Sequence, residues 1–401
     1  MTRPEILFLA HRIPYPPNKG DKIRSWQILK HLAKSYDVHL CAFVDDPDDM
    51  QHRHILEGVC KSVSLVSLTP SLAKIRSATS LFSGEALSLG YYRDTAMKEA
   101  VDKVRHRPLC FQFAFSSTMA PYLDLASAPS FVDLCDADSE KWRQYSHDAS
   151  FPMAHVYRRE ANALAQYETK ISNDATATFA ISEAEARVLQ RADVHKTVHW
   201  FGNGVDTNYF DPSASYSVNT NPAEVVFVGA MDYRANIDAV LWFVEEVWPR
   251  VRTDNPDVRF AIVGSNPPNA LAQLSGHDGI DVTGRVEDVR PYLAGAKTVV
   301  APMRIARGVQ NKILEAMAIS APVIATSAAA EGISVQAGED FLCADTPEDF
   351  ASALSSLLND DNEQRRLGAN ARQAILDRYR WSAQLARLDD VIAEHMKPNH
   401  D

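Results

Sequence analysis

The feature of the sequence that most restricts the fold is an alternation of short apolar runs with longer amphipathic stretches. Residues 6–10, 38–44, 63–68, 110–115, 131–135, 176–181 and 198–201 have the length and composition of buried strands. Residues 21–35 and 153–172 place apolar side chains at helical spacing. Strands that alternate with helices are typical of a parallel sheet covered on both faces. The first half of the chain therefore predicts an α/β fold.

A second series of the same kind follows, with strands at 225–229, 260–264, 280–282, 298–301 and 323–326 and a helix at 237–252. Further helices are predicted at 347–358, 363–379 and 382–396. Between the two series, residues 208–223 are rich in Ser, Asn and Pro and lack periodicity, which indicates a linker. We predict two doubly wound, Rossmann-like domains, 1–207 and 224–380, that face each other across a cleft and are followed by residues 381–401.

Composition and charge restrict the class of protein. The formal net charge of −11 argues against nucleic acid as the partner, and a local basic pocket in such a chain suits a small anionic ligand. The five cysteines are scattered without a C-x-x-C pair, which indicates reduced thiols in the cytoplasm. The apolar run near the N-terminus is too short for a signal peptide, and no segment approaches 18 apolar residues. We expect a soluble, cytoplasmic protein.

The strongest candidate for a ligand site is the segment 304–326. Gly308 interrupts the chain, a helix is predicted at 309–319, and a strand follows at 323–326. Arg304, Arg307 and Lys312 lie in or just before the first helical turn, which has no acidic residue. A helix N-terminus already carries partial positive charge, so these cations favour a bound anion. Glu315 places an acceptor one turn further on. The alternative is an ordinary crossover helix with surface arginines.

Other strand ends of the second series repeat this pattern. Gly229 ends one strand and Arg234 follows it, and Gly284 and Arg285 end another, next to Val286. Since the carboxyl ends of parallel strands meet at one edge of a sheet, the recurrence favours a phosphate-bearing ligand there.

In the first series, the loop 11–20 ends at Gly20, which can permit close approach of a ligand; the alternative is a proline-stiffened surface loop. Asp136 and Asp138 form a D-x-D after a strand. Three interpretations stay open: a loop in which Asp138 or Ser139 caps the next helix, recognition of hydroxyls or general-base chemistry, and a metal site. The histidines form no metal pattern, no G-x-S-x-G is present, and the glycine turn at 202–204 lacks a dinucleotide fingerprint.

These motifs resemble those of a known family. NGVD at 203–206, VG at 228–229 and LEAM at 314–317, with the two-domain layout, are similar to GT-B glycosyltransferases of the retaining family 4 type. HRIPYPPNKGDKIRSW at 11–26, VDLCDADSEKW at 132–142, GAMDYRANIDAVLWF at 229–243 and RIARGVQNKILEAMA at 304–318 resemble the sugar transferases associated with PEP-CTERM/exosortase exopolysaccharide clusters.

The resemblance implies a function for each domain. Residues 224–380 would bind a nucleotide-sugar donor, residues 1–207 would hold a glycan or lipid-linked acceptor, and 381–401 would cross back to the first domain. Glu315 would accept hydrogen bonds from the ribose, backbone groups near Val286 would meet the base, and cations would neutralise the diphosphate without a metal or cofactor. Candidate donor-binding residues are Gly20, Gly229, Arg234, Arg285, Val286, Arg304, Gly308, Val309, Gln310 and Glu315, and candidate catalytic residues are Asp136, Asp138, Arg307 and Lys312.

The sequence also departs from the family pattern. Arg307 stands where the family commonly has a glutamate, Ala230 and Met231 replace the usual residues after Val-Gly, and the common histidine of the first domain is missing, with Asp136 as the nearest substitute. The expected function is a hexosyltransferase of exopolysaccharide biosynthesis that acts with retention. The alternatives are a nucleotide-sugar epimerase of the same fold and a nucleotide- or sugar-binding module without turnover. A lipid-linked acceptor would bring the protein to the inner membrane as a peripheral protein.

Overall fold

The computed structural model describes residues 3–216, 223–306 and 309–396 of the chain. The chain divides into two compact units. The first comprises Met1–Gly202 together with Leu385–Asp401, and the second comprises Asn203–Gln384.

The first unit is built on a seven-stranded sheet with the strand order β3-β2-β1-β4-β5-β6-β7, in which every strand pair is parallel. Both faces of the central strands are buried, so these strands are continuously apolar. The strands are β1 Glu5–Ala10, β2 Asp37–Val44, β3 Ser62–Ser67, β4 Leu109–Phe115, β5 Ser130–Cys135, β6 Ala177–Ala180 and β7 Val198–Trp200.

The second unit has a six-stranded parallel sheet with the order β10-β9-β8-β11-β12-β13. Its strands are β8 Val225–Val228, β9 Phe260–Val263, β10 Ile280–Gly284, β11 Thr298–Ala301, β12 Val323–Ala325 and β13 Leu342–Cys343. The predicted fold class is thus confirmed as α/β with two parallel sheets. In each sheet the strand order reverses beside the first strand, between β1 and β4 and between β8 and β11, and such a switch point is where open α/β sheets bind ligands.

Helices connect the strands in both units. They are α1 Gly20–Leu32, α2 Arg53–Glu57, α3 Pro70–Ser83, α4 Leu87–Tyr91, α5 Thr95–Arg105, α6 Asp138–Asp148, α7 Met153–Asp174, α8 Glu183–Leu189, α9 Arg234–Trp242, α10 Trp248–Asp254, α11 Asn269–Ala272, α12 Arg290–Gly295, α13 Asn311–Ala318, α14 Ser327–Ala330, α15 Pro347–Leu358, α16 Asp361–Arg378 and α17 Trp381–His395. Short 3-10 turns occur at Pro47–His52 and Ser117–Tyr122.

The helix predicted at 237–252 is not one regular α-helix. A π-helical turn, Phe243–Val247, separates α9 from α10. Pro249 lies just after this turn, lacks an N–H group and would press on the carbonyl four residues earlier in a regular helix. A wider turn before the proline relieves that clash.

The boundary between the units precedes the predicted linker, since residues from Asn203 onward group with the second unit. The amide of Val205 donates to the carbonyl of Tyr379 at 2.7 Å, and Arg372 donates to the carbonyls of Thr207 and Phe210 at 3.0 and 2.8 Å. These contacts hold residues 205–210 against the second unit. Residues 217–222 of the predicted linker lie outside the described residues.

A buried ion pair joins α1 to β5 in the first unit. The Arg24 guanidinium donates from Nε to Oδ2 of Asp133 at 2.7 Å and from Nη1 to the carbonyl of Phe201 at 3.0 Å, and it lies 4.0 Å above the Phe201 ring. Both charged side chains are almost fully buried. The pair therefore ties the helix after the first loop to the central strands.

Among the described residues, no helix is long and apolar enough to cross a membrane.

Candidate functional site

The switch point between β8 and β11 brings together residues from two loops of the second unit. The loop after β8 contains Gly229 and leads into α9, and the loop after β11 leads into α13. Because β8 and β11 are neighbours in the sheet, these two helix starts lie at the same edge. The site described below is built from them.

Lys312, in the first turn of α13, is the cation at this edge. Its Nζ donates to Oδ1 of Asn236, lies 3.6 Å from Sδ of Met303 and sits 4.5 Å above the ring of Phe227. Burial lowers the pKa of Lys312 to about 8, although Glu315 opposes the shift. The ammonium group is therefore held in an apolar setting with one neutral acceptor, where an anion would stabilise it.

Asn236 fixes the position of Lys312 and was missed by the sequence analysis. This side chain lies in the first turn of α9, is buried, and donates from Nδ2 to the carbonyl of Ala230 at 2.8 Å. A Cβ on Gly229 would lie 2.7 Å from the Asn236 Nδ2 atom, so only glycine fits beside it. Gly229 thus has a packing role, and the predicted donor contact of Gly229 stays a prediction.

Glu315 lies one turn after Lys312 on the same face of α13. Within the part of the chain that the structure describes, its carboxylate has no hydrogen-bond or ion-pair partner. Burial raises the pKa of Glu315 to about 7, while Lys312 opposes this shift. Glu315 is half-buried, and a desolvated acceptor without a partner is costly unless a ligand supplies donors. The carboxylate is therefore suited to bind hydroxyl groups.

The start of α13 presents uncapped backbone donors. Gln310 is the N-cap residue in extended conformation and makes no side-chain cap hydrogen bond, and no acidic residue lies in the first turn. The Oδ1 atom of Asn311 is buried and has no partner among the described residues. Val309, just before the cap, packs against the hydrophobic core. This helix start keeps the character of an anion site that the sequence predicts.

The arginines predicted to face a phosphate differ in their surroundings. Arg304 forms an ion pair with Asp238 of α9, so its charge is already met by a carboxylate, which counts against a diphosphate contact. Arg234 and Arg285 are exposed, and neither has a hydrogen-bond or ion-pair partner in the described ranges. Val286 packs against the core beside Arg285. The predictions for Arg307 and Gly308 lie outside the described residues.

An aromatic and charged cluster next to Glu315 was also missed. The Arg290 guanidinium lies 3.7 Å above the Tyr209 ring and donates to both oxygens of Asp288, at 2.9 Å from Nε and 2.6 Å from Nη2. Burial, then the negative charges of Asp288 and Glu315, raise the pKa of Tyr209. Tyr209 precedes the second sheet in sequence, so no local pattern could place it beside α13.

In the first unit, Asp136 and Asp138 follow β5. Burial raises the pKa of Asp138 to about 6. Asp136 is exposed to solvent, and the direction of its pKa shift is also upward, from partial desolvation and the nearby Glu185. The helix-cap interpretation is wrong, because Ala137 is the N-cap of α6 and makes no side-chain cap hydrogen bond. Acceptor or base chemistry therefore remains open for both carboxylates. In the described residues no group of three or more His, Cys, Asp or Glu side chains could hold a metal ion.

His11 adds a third titratable group at this edge. It follows β1, its Nε2 lies 3.3 Å from Oδ2 of Asp21, and its ring stacks on Phe115 at 5.7 Å. A positive charge on His11 would lower the pKa of Asp138, which places the two side chains in the same neighbourhood. The strand ends of β1 and β5 thus bring together groups that lie far apart in sequence.

Gly20 is the first residue of α1 and is exposed to solvent. Apart from its two chain neighbours and the backbone of its own helix, no protein atom lies within 4 Å of the position that a Cβ would take. Nothing inside the protein therefore requires glycine at this position, which leaves the predicted approach of a ligand as its candidate role.

Gly20→Ala tests that role. We expect the free energy of unfolding to stay unchanged or to rise by up to about 1 kcal/mol, because alanine is the better helix former. If a phosphate passes close to this backbone, activity should fall by about 10–100-fold, since a displacement of about 1 Å costs that much. Urea unfolding and initial rates give the two values. Gly229→Ala is the comparison for the unfolding measurement only, because its Cβ would meet Asn236 and should destabilise the fold. Unchanged activity in Gly20→Ala would remove Gly20 from the site.

Comparison with known proteins was consistent with this geometry. Residues 222–360 match the family model described as "Glycosyl transferases group 1". The protein is thus an enzyme, a glycosyltransferase. An uncharacterized 44.6 kDa protein in the cps region of Klebsiella pneumoniae is 22% identical over 391 residues, which cover 94% of this chain and 96% of that protein.

Solved glycosyltransferase structures share the fold across nearly the whole chain. Sucrose-phosphate synthase of Thermosynechococcus elongatus has a TM-score of 0.67 at 16% identity and covers 98% of this chain and 99% of its own. HepE of Anabaena in complex with UDP has a TM-score of 0.64 at 15% identity and covers 97% and 100%. At these identities the likeness concerns the fold, which is GT-B.

Glu315→Gln in the unliganded glycosyltransferase should increase stability above neutral pH. The pKa of Glu315 is raised from 4.5 to about 7. The contribution of this group to the free energy of unfolding is therefore fully present below pH 4.5 and is lost as the pH rises through 7. Removing the charge should therefore stabilise the protein by about 1–3 kcal/mol at pH 8 and hardly at all at pH 4.5. Urea midpoints at the two pH values measure this, with the exposed Glu394→Gln as the control. Equal midpoints for Glu315→Gln and the wild type at pH 8 would contradict the burial of this carboxylate.

Proposed function

We propose that this glycosyltransferase moves a hexose from a nucleoside-diphosphate sugar to a glycan or lipid-linked acceptor in exopolysaccharide biosynthesis. The observation that carries the proposal is that Lys312 and Glu315 lie one helical turn apart at the β8–β11 switch point without forming an ion pair. One is a desolvated cation and the other a desolvated acceptor, and neither charge is met by an opposite charge within ion-pair distance among the described residues. A diphosphate and a ribose would supply what each side chain lacks.

The known relatives support this substrate class. HepE of Anabaena was solved in complex with UDP and with UDP-glucose. The Klebsiella pneumoniae relative comes from a cps region, which fits polysaccharide assembly. The motif resemblance to family 4 transferases, and to those of PEP-CTERM/exosortase clusters, adds the proposals of retention and of an acceptor in an exopolysaccharide pathway.

The proposed chemistry depends on the leaving group. As the bond between the sugar and the diphosphate breaks, negative charge grows on the diphosphate oxygens. The Lys312 ammonium and the uncapped N–H groups at the start of α13 would stabilise that charge, so we expect no metal requirement. Glu315 would hold the ribose hydroxyls, and backbone groups near Val286 would meet the base. Holding the donor and the acceptor in the reactive geometry would then account for much of the rate increase.

In the first unit we propose that Asp138, with Asp136, lies close to the reacting sugar or its acceptor. A carboxyl whose pKa is raised to about 6 by burial is mostly ionised at neutral pH and can still accept a proton. This unit would hold the acceptor, and the protein would work in the cytoplasm.

Incubation with labelled UDP- and GDP-sugars and a glycan acceptor tests the proposal. Free nucleoside diphosphate together with labelled acceptor is the expected result. Interconversion of the sugar without release of the diphosphate would establish the epimerase instead. Saturable binding without any product would establish a binding module.

A further inference from the structure

Three aromatic side chains of the first unit lie together on the helical hairpin formed by α6 and α7. The ring centroid of Trp142 lies 5.8 Å from that of Tyr145 and 5.2 Å from that of Tyr157, and the two tyrosine rings are 6.3 Å apart. Tyr145 is 43% exposed, and the other two residues are half-buried. We call these three residues the aromatic platform. A cluster of rings that stays partly open to solvent indicates a binding surface.

The hairpin extends past the carboxyl end of β5. At its base, Ser139 of α6 donates to the carboxylate of Glu168 of α7, from the backbone amide at 2.9 Å and from the hydroxyl at 2.6 Å. Helix α7 runs on from there to Asp174 and leads into the start of β6, at the amino edge of the sheet. The 15 residues of α7 that precede Glu168 therefore lie on the opposite side, beyond the carboxyl edge, and span about 22 Å. Open α/β sheets bind their ligands at that edge.

The platform shares one face of α6 with Asp138. Trp142 and Tyr145 follow Asp138 by four and seven positions, a spacing that places side chains on the same side of a helix. The two residues lie about 6 Å and about 10 Å along the helix from Asp138. The inference rests on the proposed function, which puts Asp138 close to the reacting sugar or its acceptor. A chain of sugar rings that ends at Asp138 would then extend over the platform.

Polar groups surround the rings. The indole N–H of Trp142 and the hydroxyls of Tyr145 and Tyr157 have no hydrogen-bond partner among the described residues. Lys141 and Gln144 of the same helix are exposed and, within the described ranges, have no hydrogen-bond or ion-pair partner either. An aromatic face carries partial negative charge and attracts the C–H face of a sugar ring, while the polar groups pair with its hydroxyls. An apolar partner would leave those polar groups unpaired, at a cost.

We propose that the aromatic platform binds sugar rings of the acceptor, so that this enzyme extends a glycan that already carries several sugars. A lipid phosphate without sugars has no ring face to stack on the platform. The acceptor must then be supplied by an earlier sugar-transfer reaction, and a lipid-linked acceptor would be recognised through its glycan part.

This binding can be measured without donor and without turnover. The full chain is mixed with neutral linear pentasaccharides of glucose, mannose, galactose or N-acetylglucosamine, or with the corresponding monosaccharides, and binding is followed by saturation-transfer difference NMR. We expect at least one pentasaccharide to bind, with the strongest saturation on ring C–H protons. Its monosaccharide should bind at least about tenfold more weakly, because one sugar ring cannot contact all three aromatic rings.

Two double variants separate the aromatic faces from the volume of the side chains. Tyr145→Leu with Tyr157→Leu removes both faces and should weaken pentasaccharide binding by about tenfold or more. Tyr145→Phe with Tyr157→Phe keeps the faces and should weaken it by only about threefold, through the lost hydroxyls. Tyr36→Leu is the matched control, since Tyr36 directly precedes β2 at the amino edge of the sheet and its loss should leave binding unchanged. Melting temperatures establish that each variant is folded.

The proposal is overturned if no pentasaccharide binds the wild type, or if the double leucine variant and Tyr36→Leu bind alike. It is also overturned if light scattering shows a dimer that the double leucine variant dissolves, since the platform would then be a contact between copies. Calorimetric titration of UDP into each variant should give the wild-type result. Loss of sugar binding with unchanged UDP binding therefore concerns the platform alone, and pentasaccharide binding without transfer from any donor would count against the proposed transfer alone.

Discussion

Lys312→Met is expected to lower kcat/KM for sugar transfer by about 100-fold or more, because a developing negative charge on the diphosphate loses its nearest fixed cation. Methionine has similar length and is compatible with the apolar surroundings of the ammonium group, which include Met303 and Phe227. Burial lowers the pKa of Lys312 to about 8, so the charged form is disfavoured in the free protein. The variant should therefore still fold, at a cost of about 1–3 kcal/mol or less, because Oδ1 of the buried Asn236 loses its donor.

Arg304→Met is the informative control for this prediction. Arg304 comes from the same loop but is paired with Asp238, so its loss should change kcat/KM by only a few-fold. Initial rates with a saturating acceptor and a series of donor concentrations give both values. A large loss in Arg304→Met with little change in Lys312→Met would reverse the assignment of the diphosphate cation.

Arg24→Met is expected to destabilise the first unit by about 3–5 kcal/mol, since it leaves the buried carboxylate of Asp133 without its partner. The double change with Asp133→Leu should recover much of this loss, because an apolar pair of similar volume replaces the ions. Urea unfolding followed by tryptophan fluorescence measures the loss. The transition of the first unit must be resolved, since two units need not unfold together.

Lys170→Met provides the comparison for an exposed ion pair. Lys170 pairs with Asp174 within α7 at the surface, and its removal should cost less than about 1 kcal/mol. If Arg24→Met costs no more than Lys170→Met, the buried pair does not anchor α1 to β5. If Arg24→Met alone is too unstable to purify, recovery of folded protein in the double variant still supports the account.

The strands and most of the long helices could be predicted from local sequence because their signals are local. A strand buried on both faces is a short apolar run in the sequence, as in β1 and β8. The first turn of α13 can be recognised because it contains a lysine and no acidic residue. The fold class follows from their alternation. For the same reason Lys312 and Glu315 could be identified as site candidates without the structure.

Contacts between distant segments could not be predicted. Arg304 looks like a free cation in sequence, but its partner Asp238 lies 66 positions away. Asn236 and Tyr209 reach the site through the order of strands and helices, which no local pattern records. Helix α3 was missed because the expected pattern places large apolar residues inward, and this helix buries alanine and serine instead.

Calorimetric titration of UDP and GDP into the wild type and into Glu315→Ala tests the central claim most directly. We predict that at least one of the two nucleotides binds the wild type in a one-to-one complex. In a folded Glu315→Ala variant the affinity should fall by about tenfold or more, because a hydrogen bond to a charged group contributes roughly 1.5–3 kcal/mol. Equal affinities in the two proteins, or no binding of either nucleotide to the wild type, would contradict a donor site at the β8–β11 switch point.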